Sequence, residues 1–142
     1  MKPLQKYWIT VISKDHALRA VVGSFIQINH GKQAPLKRMS LDDWVIVYSS
    51  KQAVDGDVKL QAFTAIGQVA DDEIYLHKMS ETFIPFRRNI KFYDCEETPI
   101  APLIPNLDFI KNKQSWGYPF RFGFLEIDKA DFELISKHML KA

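Results

Sequence analysis

Trp44-Val45-Ile46-Val47-Tyr48-Ser49 is a run of β-branched and aromatic residues without a charge or a turn former. Such a run reads as a strand. Because it is apolar almost throughout and does not alternate, both of its faces are expected to be covered. Leu41-Asp42-Asp43 delivers the chain into it, and Ala53-Val54-Asp55-Gly56-Asp57 reads as the turn beyond it. Downstream, Leu60 to Ala70 reads as the next strand, with Gly67 as a bulge or a point of close approach, followed by an acidic turn at Asp71-Asp72-Glu73. Upstream, residues 7–13 (Tyr-Trp-Ile-Thr-Val-Ile-Ser) read as a first strand. Asp15 then stands where a carboxylate caps a helix, Leu18, Val21 and Val22 follow at one-face spacing, and Gly23 ends the helix.

Residues 24–40 mix polar groups with turn formers and read as an ordered loop crossing one end of the sheet. From Thr82 to Tyr93, period-two alternation puts Ile84, Phe86, Arg88, Ile90 and Phe92 on one face and Arg87, Asn89, Lys91 and Tyr93 on the other. Pro85 implies an edge or a bulge nearby. Pro99 to Pro105 reads as extended, Leu107 to Ile110 as a short helical turn, and Phe120 to Ile127 as a last strand. Asp128 caps a C-terminal helix, with Asp131 in its first turn and Phe132, Ile135 and Met139 as its buried stripe. Five to six strands with two or three short helices, without strict alternation, disfavour a Rossmann-type parallel sheet. A mixed α/β, mainly β fold is expected, its sheet curved or barrel-like and flanked by short helices.

The 142 residues fit one domain, expected over 1–142, and 46% apolar content with 13% aromatics supplies a core. A net charge of +2 does not announce a protein that grips long duplex DNA through phosphates, so any such contact must be local. A single cysteine, Cys95, permits no internal disulfide and fits a reducing compartment. Residues from Met1 to Trp8 do not read as a signal peptide, and no stretch approaches the ~18 apolar residues of a spanning helix. A cytoplasmic protein without membrane contact is expected.

Catalytic and metal chemistry find little support. Ser13, Asp15 and His16 supply the residue types of a hydrolase triad, but within four residues of one another and without a Gly-x-Ser-x-Gly elbow, so capping is the simpler reading. His16, His30, His77, His138 and Cys95 show no short ligand spacing, and neither a metal nor a cofactor is expected. Gly31-Lys32 is no P-loop, though it suits one phosphate or one carbonyl oxygen. Alternation places Arg88 among apolar neighbours, where it needs a carboxylate partner or a ligand oxygen. Phe25, Tyr48 and Trp116 each sit where a sheet edge meets a loop and are candidate pocket aromatics.

The sequence resembles the EVE domain, a member of the PUA-like superfamily that includes the YTH domains. It is similar to bacterial and archaeal proteins of the UPF0310 type. The resemblance is carried by Tyr7-Trp8-Ile9, Ser13-Lys14-Asp15-His16, Gly23-Ser24-Phe25-Ile26-Gln27, His30-Gly31-Lys32, Pro35-Leu36-Lys37-Arg38-Met39 and Asp43-Trp44 through Ser49. It continues in Gln61 through Gly67, Phe86-Arg87-Arg88, Pro102-Leu103-Ile104, Leu107 through Ile110, and Trp116-Gly117. Where the family often has Gly-Asp before the second strand, this chain has Asp42-Asp43, and Asp tolerates a left-handed turn better than most residues.

The resemblance implies a PUA-like pseudo-barrel with an aromatic-lined pocket for a modified nucleobase. EVE relatives are associated with modified cytosines in DNA and YTH relatives with N6-methyladenine in RNA. By position, Ser13, Lys14, Asp15 and His16 would line one side, Phe25 would stand where a cage aromatic stands, and His30, Gly31 and Lys32 would form a rim, with Gln27 counted among the ligand-binding residues. Tyr48 and Ser49 would make the floor; beside what the resemblance implies, Trp116 is expected among the ligand-binding residues and Arg87, Arg88 and Lys113 as contacts to adjacent phosphates. The expected function is a non-catalytic reader of a modified base in nucleic acid, acting with a separate nuclease or other effector chain. A binder of a free planar metabolite such as a nucleoside, and a protein-interaction module, are the alternatives.

Overall fold

The structure is a computed structural model that describes residues 4–140. The reading of Met1 to Pro3 and the two ends of the expected 1–142 domain lie outside the described residues. Seven strands and three helices follow in chain order: β1 (Tyr7–Val11), α1 (Lys14–Gly23), β2 (Phe25–Ile26), α2 (Gln33–Arg38), β3 (Trp44–Lys51), β4 (Lys59–Leu76), β5 (Phe86–Phe92), β6 (Thr98–Pro99), β7 (Phe124–Ile127) and α3 (Lys129–Met139). Short 3-10 segments occupy Ala101–Asn106, Lys113–Ser115 and Tyr118–Phe122. The fold is the expected mixed α/β type, mainly strands. The strand count exceeds the expected five to six because β2 and β6 are two-residue strands too short to leave a periodic signal.

All strands join one sheet in the order β2-β5-β4-β3-β1-β7, with β6 pairing β4. β1 and β3 pair in parallel and the other pairs are antiparallel. A parallel pair needs a crossover, and α1, β2 and α2 provide it. Alternation along the central strands splits the interior in two. Ile9, Ile46, Tyr48, Phe63 and Ile66 face α3, where Phe132, Ile135 and Met139 form the anticipated stripe. Trp8, Val45, Val69 and Ile90 face the other way, against Ile26, Ile28, Leu36, Met39 and Phe124. The apolar run of β3 is thus covered on both faces, each large side chain contributing about 1.5–3 kcal/mol.

Several local expectations are corrected. α1 buries Ala17 and Ala20, while Leu18 and Val22 stand 55% and 88% exposed. The small alanines let the helix settle onto Val47 and Ala65, which the larger side chains would hold off. Gly23 is the last helical residue, and the left-handed stop is Ser24 (φ 59°). The 24–40 segment holds β2 and α2 as well as loop. β4 runs through the expected acidic turn to Leu76, absorbing residues 70–73 in a register shift between Val69 and Ile74. Residues 101–106 coil into a 3-10 segment and are not extended, and Tyr118–Phe122 does the same ahead of β7.

Around α3, Asp128 occupies the N-cap position, but its side chain makes no capping bond. Asp131 is buried and accepts the backbone N–H groups of Asp108 and Phe109, both at 2.8 Å. It therefore ties the turn at Leu107–Ile110 to α3. The expected turn into β3 is present, with Asp42 in the left-handed region (φ 71°).

Candidate functional site

At the end of β1, Ser13 Oγ donates to Asp15 Oδ1 at 2.5 Å, and the same oxygen accepts the His16 backbone N–H at 2.9 Å. The Ser13 hydrogen bond is the main cause holding the Asp15 carboxyl below its ordinary range. Asp15 thus orders the entry into α1. The His16 ring is hydrogen-bonded to neither neighbour, and no nucleophile–base line forms among the three. Lys14 is drawn to Glu97 at 2.8 Å. The ten-residue α1, about 15 Å long, separates this cluster from Phe25.

Beyond α1, β2 pairs with β5, setting Phe25 opposite Asn89 and Ile26 opposite Arg88. Since Ile26, Arg88 and Ile90 point inward, Phe25, Gln27, Arg87 and Asn89 project from the opposite, open face. There the Arg87 guanidinium lies 3.7 Å from the Phe25 ring centroid, and its Nε donates to Gln27 Oε1 at 2.7 Å. Partial burial lowers the Arg87 pKa from its ordinary value. The ring reaches this position because residue 23 is glycine: a Cβ there would stand 2.5 Å from Phe25 Cε1.

Beside this pair, Tyr75 lies opposite Arg87 in the register. Its hydroxyl donates to Asn89 Oδ1 at 2.9 Å, and Asn89 Nδ2 donates to Asp71 Oδ2 at 2.9 Å. Asn89 is the largest cause lowering the Asp71 pKa, whereas burial raises that of Tyr75. The sequence reading missed Tyr75, Asn89 and Asp71 as a group. Alternation already placed Asn89 beside Arg87, but reading 71–73 as a turn hid the other two.

Other expected site residues are taken up by the protein itself. Tyr48 is 2% exposed and stacks on Phe120, with ring centroids 4.1 Å apart at 16°, so it belongs to the core and not to a pocket floor. Ser49 is buried, its hydroxyl donating to Ile12 O at 2.6 Å and lying 2.8 Å from Thr64 Oγ1. Gly31 (φ +82°) gives close approach to Pro85 and not to a ligand, since a Cβ would meet Pro85 Cβ at 2.2 Å.

Arg88 is buried and donates to the carbonyl oxygens of Leu36, Met39 and Asp71, so it is no phosphate contact. Its nearest carboxylate, on Asp72, is 3.9 Å away and exposed. Lys113 Nζ donates to Leu107 O at 2.6 Å, and Trp116 is half-buried, edge-on to Phe120. His30 and Lys32 are exposed, and Gly31 between them accepts the Phe86 N–H. This sets residues 30–32 beside the start of β5, one residue before Arg87.

Two cavities open elsewhere. One of about 560 Å³ is lined by Leu4, Gln5, Ser40, Leu41, Asp42, Asp43 and Asp72, with acidic residues and no basic one among them. The other, about 390 Å³, is lined by Ser115, Gly117, Tyr118 and Arg121. Among the described residues no helix is long and apolar enough to cross a membrane, and no group of three His, Cys, Asp or Glu is placed to hold a metal ion.

Comparison with known proteins bears on this arrangement. The family model of the EVE domain matches residues 6–138. The chain is 56% identical over 129 residues to "UPF0310 protein in gntR 5'region" of Bacillus licheniformis, a match covering 91% of this chain and 88% of the relative. It is 52% identical over 133 residues to a UPF0310 protein of Mycolicibacterium vanbaalenii, covering 94% and 92%. Among solved structures, a hypothetical protein from Leishmania major aligns with a TM-score of 0.59 at 13% identity, covering 94% of each chain. Rpa0253 from Rhodopseudomonas palustris aligns at 0.57 and 13% identity, covering 94% and 92%. At such identity these two structures speak to the fold alone.

Proposed function

The chain belongs to the EVE domain family and has a PUA-like fold, and from that premise we propose that it binds a modified nucleobase of DNA or RNA on the open β2–β5 face, without catalysing a reaction. The observation that carries this reading is the Phe25–Arg87–Gln27 arrangement. The Arg87 guanidinium rests against an aromatic ring, 3.7 Å from its centroid, and the side chain's one hydrogen bond among the described residues is to Gln27. A guanidinium plane so fixed offers its outer face to a nucleobase and its terminal N–H groups to a base edge or a phosphate. A base within a duplex must leave the stack before it can lie there. Stacking then returns about 1–3 kcal/mol. Gln27 and Asn89 supply amide donors and acceptors beside the plane, and His30 and Lys32 supply the rim for neighbouring phosphates.

The test is a titration of the chain with matched oligonucleotides that differ only in one modified base, and with the free modified nucleosides. Tighter binding of one modified strand is expected, with Phe25→Ala weakening it more than Lys37→Ala. Equal losses from both would reduce the interaction to diffuse charge. The net charge of +2 favours one second reading, a binder of a free nucleoside. Equal affinity for the nucleoside and the strand that carries it would select that reading.

A further inference from the structure

A second surface stands apart from the Phe25–Arg87 face. Residues 109–125 contain no Asp or Glu, carry Lys111, Lys113 and Arg121, and hold six aromatics: Phe109, Trp116, Tyr118, Phe120, Phe122 and Phe124. The fold divides the aromatics. Phe120 and Phe124 are buried, and Phe109 packs edge-on against Phe120. Tyr118 and Phe122, four residues apart on the 3-10 segment, are 57% and 62% exposed. Their rings meet edge-to-face at 5.7 Å, and the Arg121 guanidinium lies 5.6 Å from the Tyr118 ring centroid. The cavity of about 390 Å³ opens beside Tyr118 and Arg121, and at Gly117 a Cβ would meet nothing within 4 Å.

Isolated exposed apolar residues are ordinary on a protein surface. The two rings stand at 86° to one another, so a base can stack on one ring face at a time, with the other ring at its edge; Arg121 lies beside Tyr118, and Lys111, Lys113 and Arg121 between the flanking Asp108 and Glu126 give the segment the sign of a phosphate partner. We propose that Tyr118, Phe122 and Arg121 bind an unpaired nucleotide of a single-stranded nucleic acid, the base stacked on one of the two rings with the other at its edge, and its phosphate at Arg121. This goes beyond the modified-base reading, because an unmodified base has the same stacking face.

Gly123, directly after this 3-10 segment, lies so close to Asn29 that a Cβ would stand 2.2 Å from Asn29 Oδ1, so the segment packs against the residue before His30.

The experiment is fluorescence anisotropy with the full chain and an unmodified single-stranded 12-nucleotide oligomer, alongside a blunt duplex of the same sequence. Sedimentation velocity runs in parallel. The wild type is expected to prefer the single strand. The double variant Tyr118→Ala, Phe122→Ala is expected to weaken it about tenfold or more with unchanged thermal melting. Arg121→Gln is expected to lower the slope of log affinity against log salt by about one. Unchanged single-strand affinity in the double variant would overturn the proposal. So would equal losses on strand and duplex, or a concentration-dependent dimer abolished by the same substitutions. Failure of the modified-base reading shows separately, as equal wild-type affinity for modified and unmodified strands.

Discussion

The indole N–H of Trp8 donates to Asp43 Oδ2 at 2.9 Å, tying β1 to the residue that opens β3. Asp43 is buried and also accepts the backbone N–H groups of Lys6 at 3.0 Å and Ser40 at 2.9 Å. Trp8 stacks on Phe124 of β7 at 4.8 Å, and Arg38 covers both rings. One carboxylate therefore fixes the parallel pair and the strand beside it. Asp43→Ala leaves three donors without their acceptor, and a loss of about 2–4 kcal/mol in urea unfolding is expected. A loss under about 1 kcal/mol would mean that water replaces the carboxylate.

Gly31→Ala tests the seam between the rim and β5. A Cβ at 2.2 Å from Pro85, on a backbone with φ +82°, forces both strain and displacement. A loss of about 1–3 kcal/mol is expected, with oligonucleotide affinity falling as the rim shifts. Unchanged melting would show that the seam opens freely.

Arg87 and Arg88 are adjacent in sequence and opposite in role. Arg88→Met leaves the carbonyls of Leu36, Met39 and Asp71 without their donor, and the expected loss of stability is about 2–4 kcal/mol. The salt slope of nucleic-acid binding should stay as in the wild type. Arg87→Gln should leave unfolding within about 1 kcal/mol and lower that slope by about one. The reverse pattern, read by chemical denaturation and salt titration, would exchange the two assignments.

Burial pushes the Tyr48 hydroxyl up to about 12. The unfolded chain releases that proton near its ordinary value of about 10. Between those values the unfolded state binds fewer protons than the folded one, so the contribution of Tyr48 is complete below pH 10 and is lost as pH rises toward 12. Tyr48→Phe removes this titration while keeping the ring stacked on Phe120. Denaturation midpoints measured from pH 9 to 12 should therefore fall less steeply for the variant. Parallel declines would place Tyr48 in a solvated setting.

Alternation along 86–92 made the burial of Arg88 and Ile90 and the outward position of Arg87 and Asn89 readable from the sequence. The partners of Arg88 were not readable, because they are main-chain carbonyls and no side-chain pattern encodes where a carbonyl points. The end of an apolar run beside Ser49-Ser50 makes Tyr48 a candidate pocket aromatic, and the resemblance implies a floor of Tyr48 with Ser49. The aromatic that covers Tyr48 is Phe120, far along the chain, in a segment that reads as strand and folds as a 3-10 turn. Leu18 and Val22 were misplaced for a related reason. Helical spacing identifies an apolar face, but the residues that fit against Val47 and Ala65 are the small ones, Ala17 and Ala20.

Strand identity and the two-sided cover of β3 followed from the sequence, because side-chain period and turn formers are local properties that the chain carries with it, and the family followed from the resemblance of its motifs. Which aromatics are free to meet a ligand was decided by the tertiary structure. Partial cover of Phe25 by Arg87, exposure of Tyr118 and Phe122, and burial of Tyr48 depend on what other segments bring against each ring, and that is set by packing across the sheet.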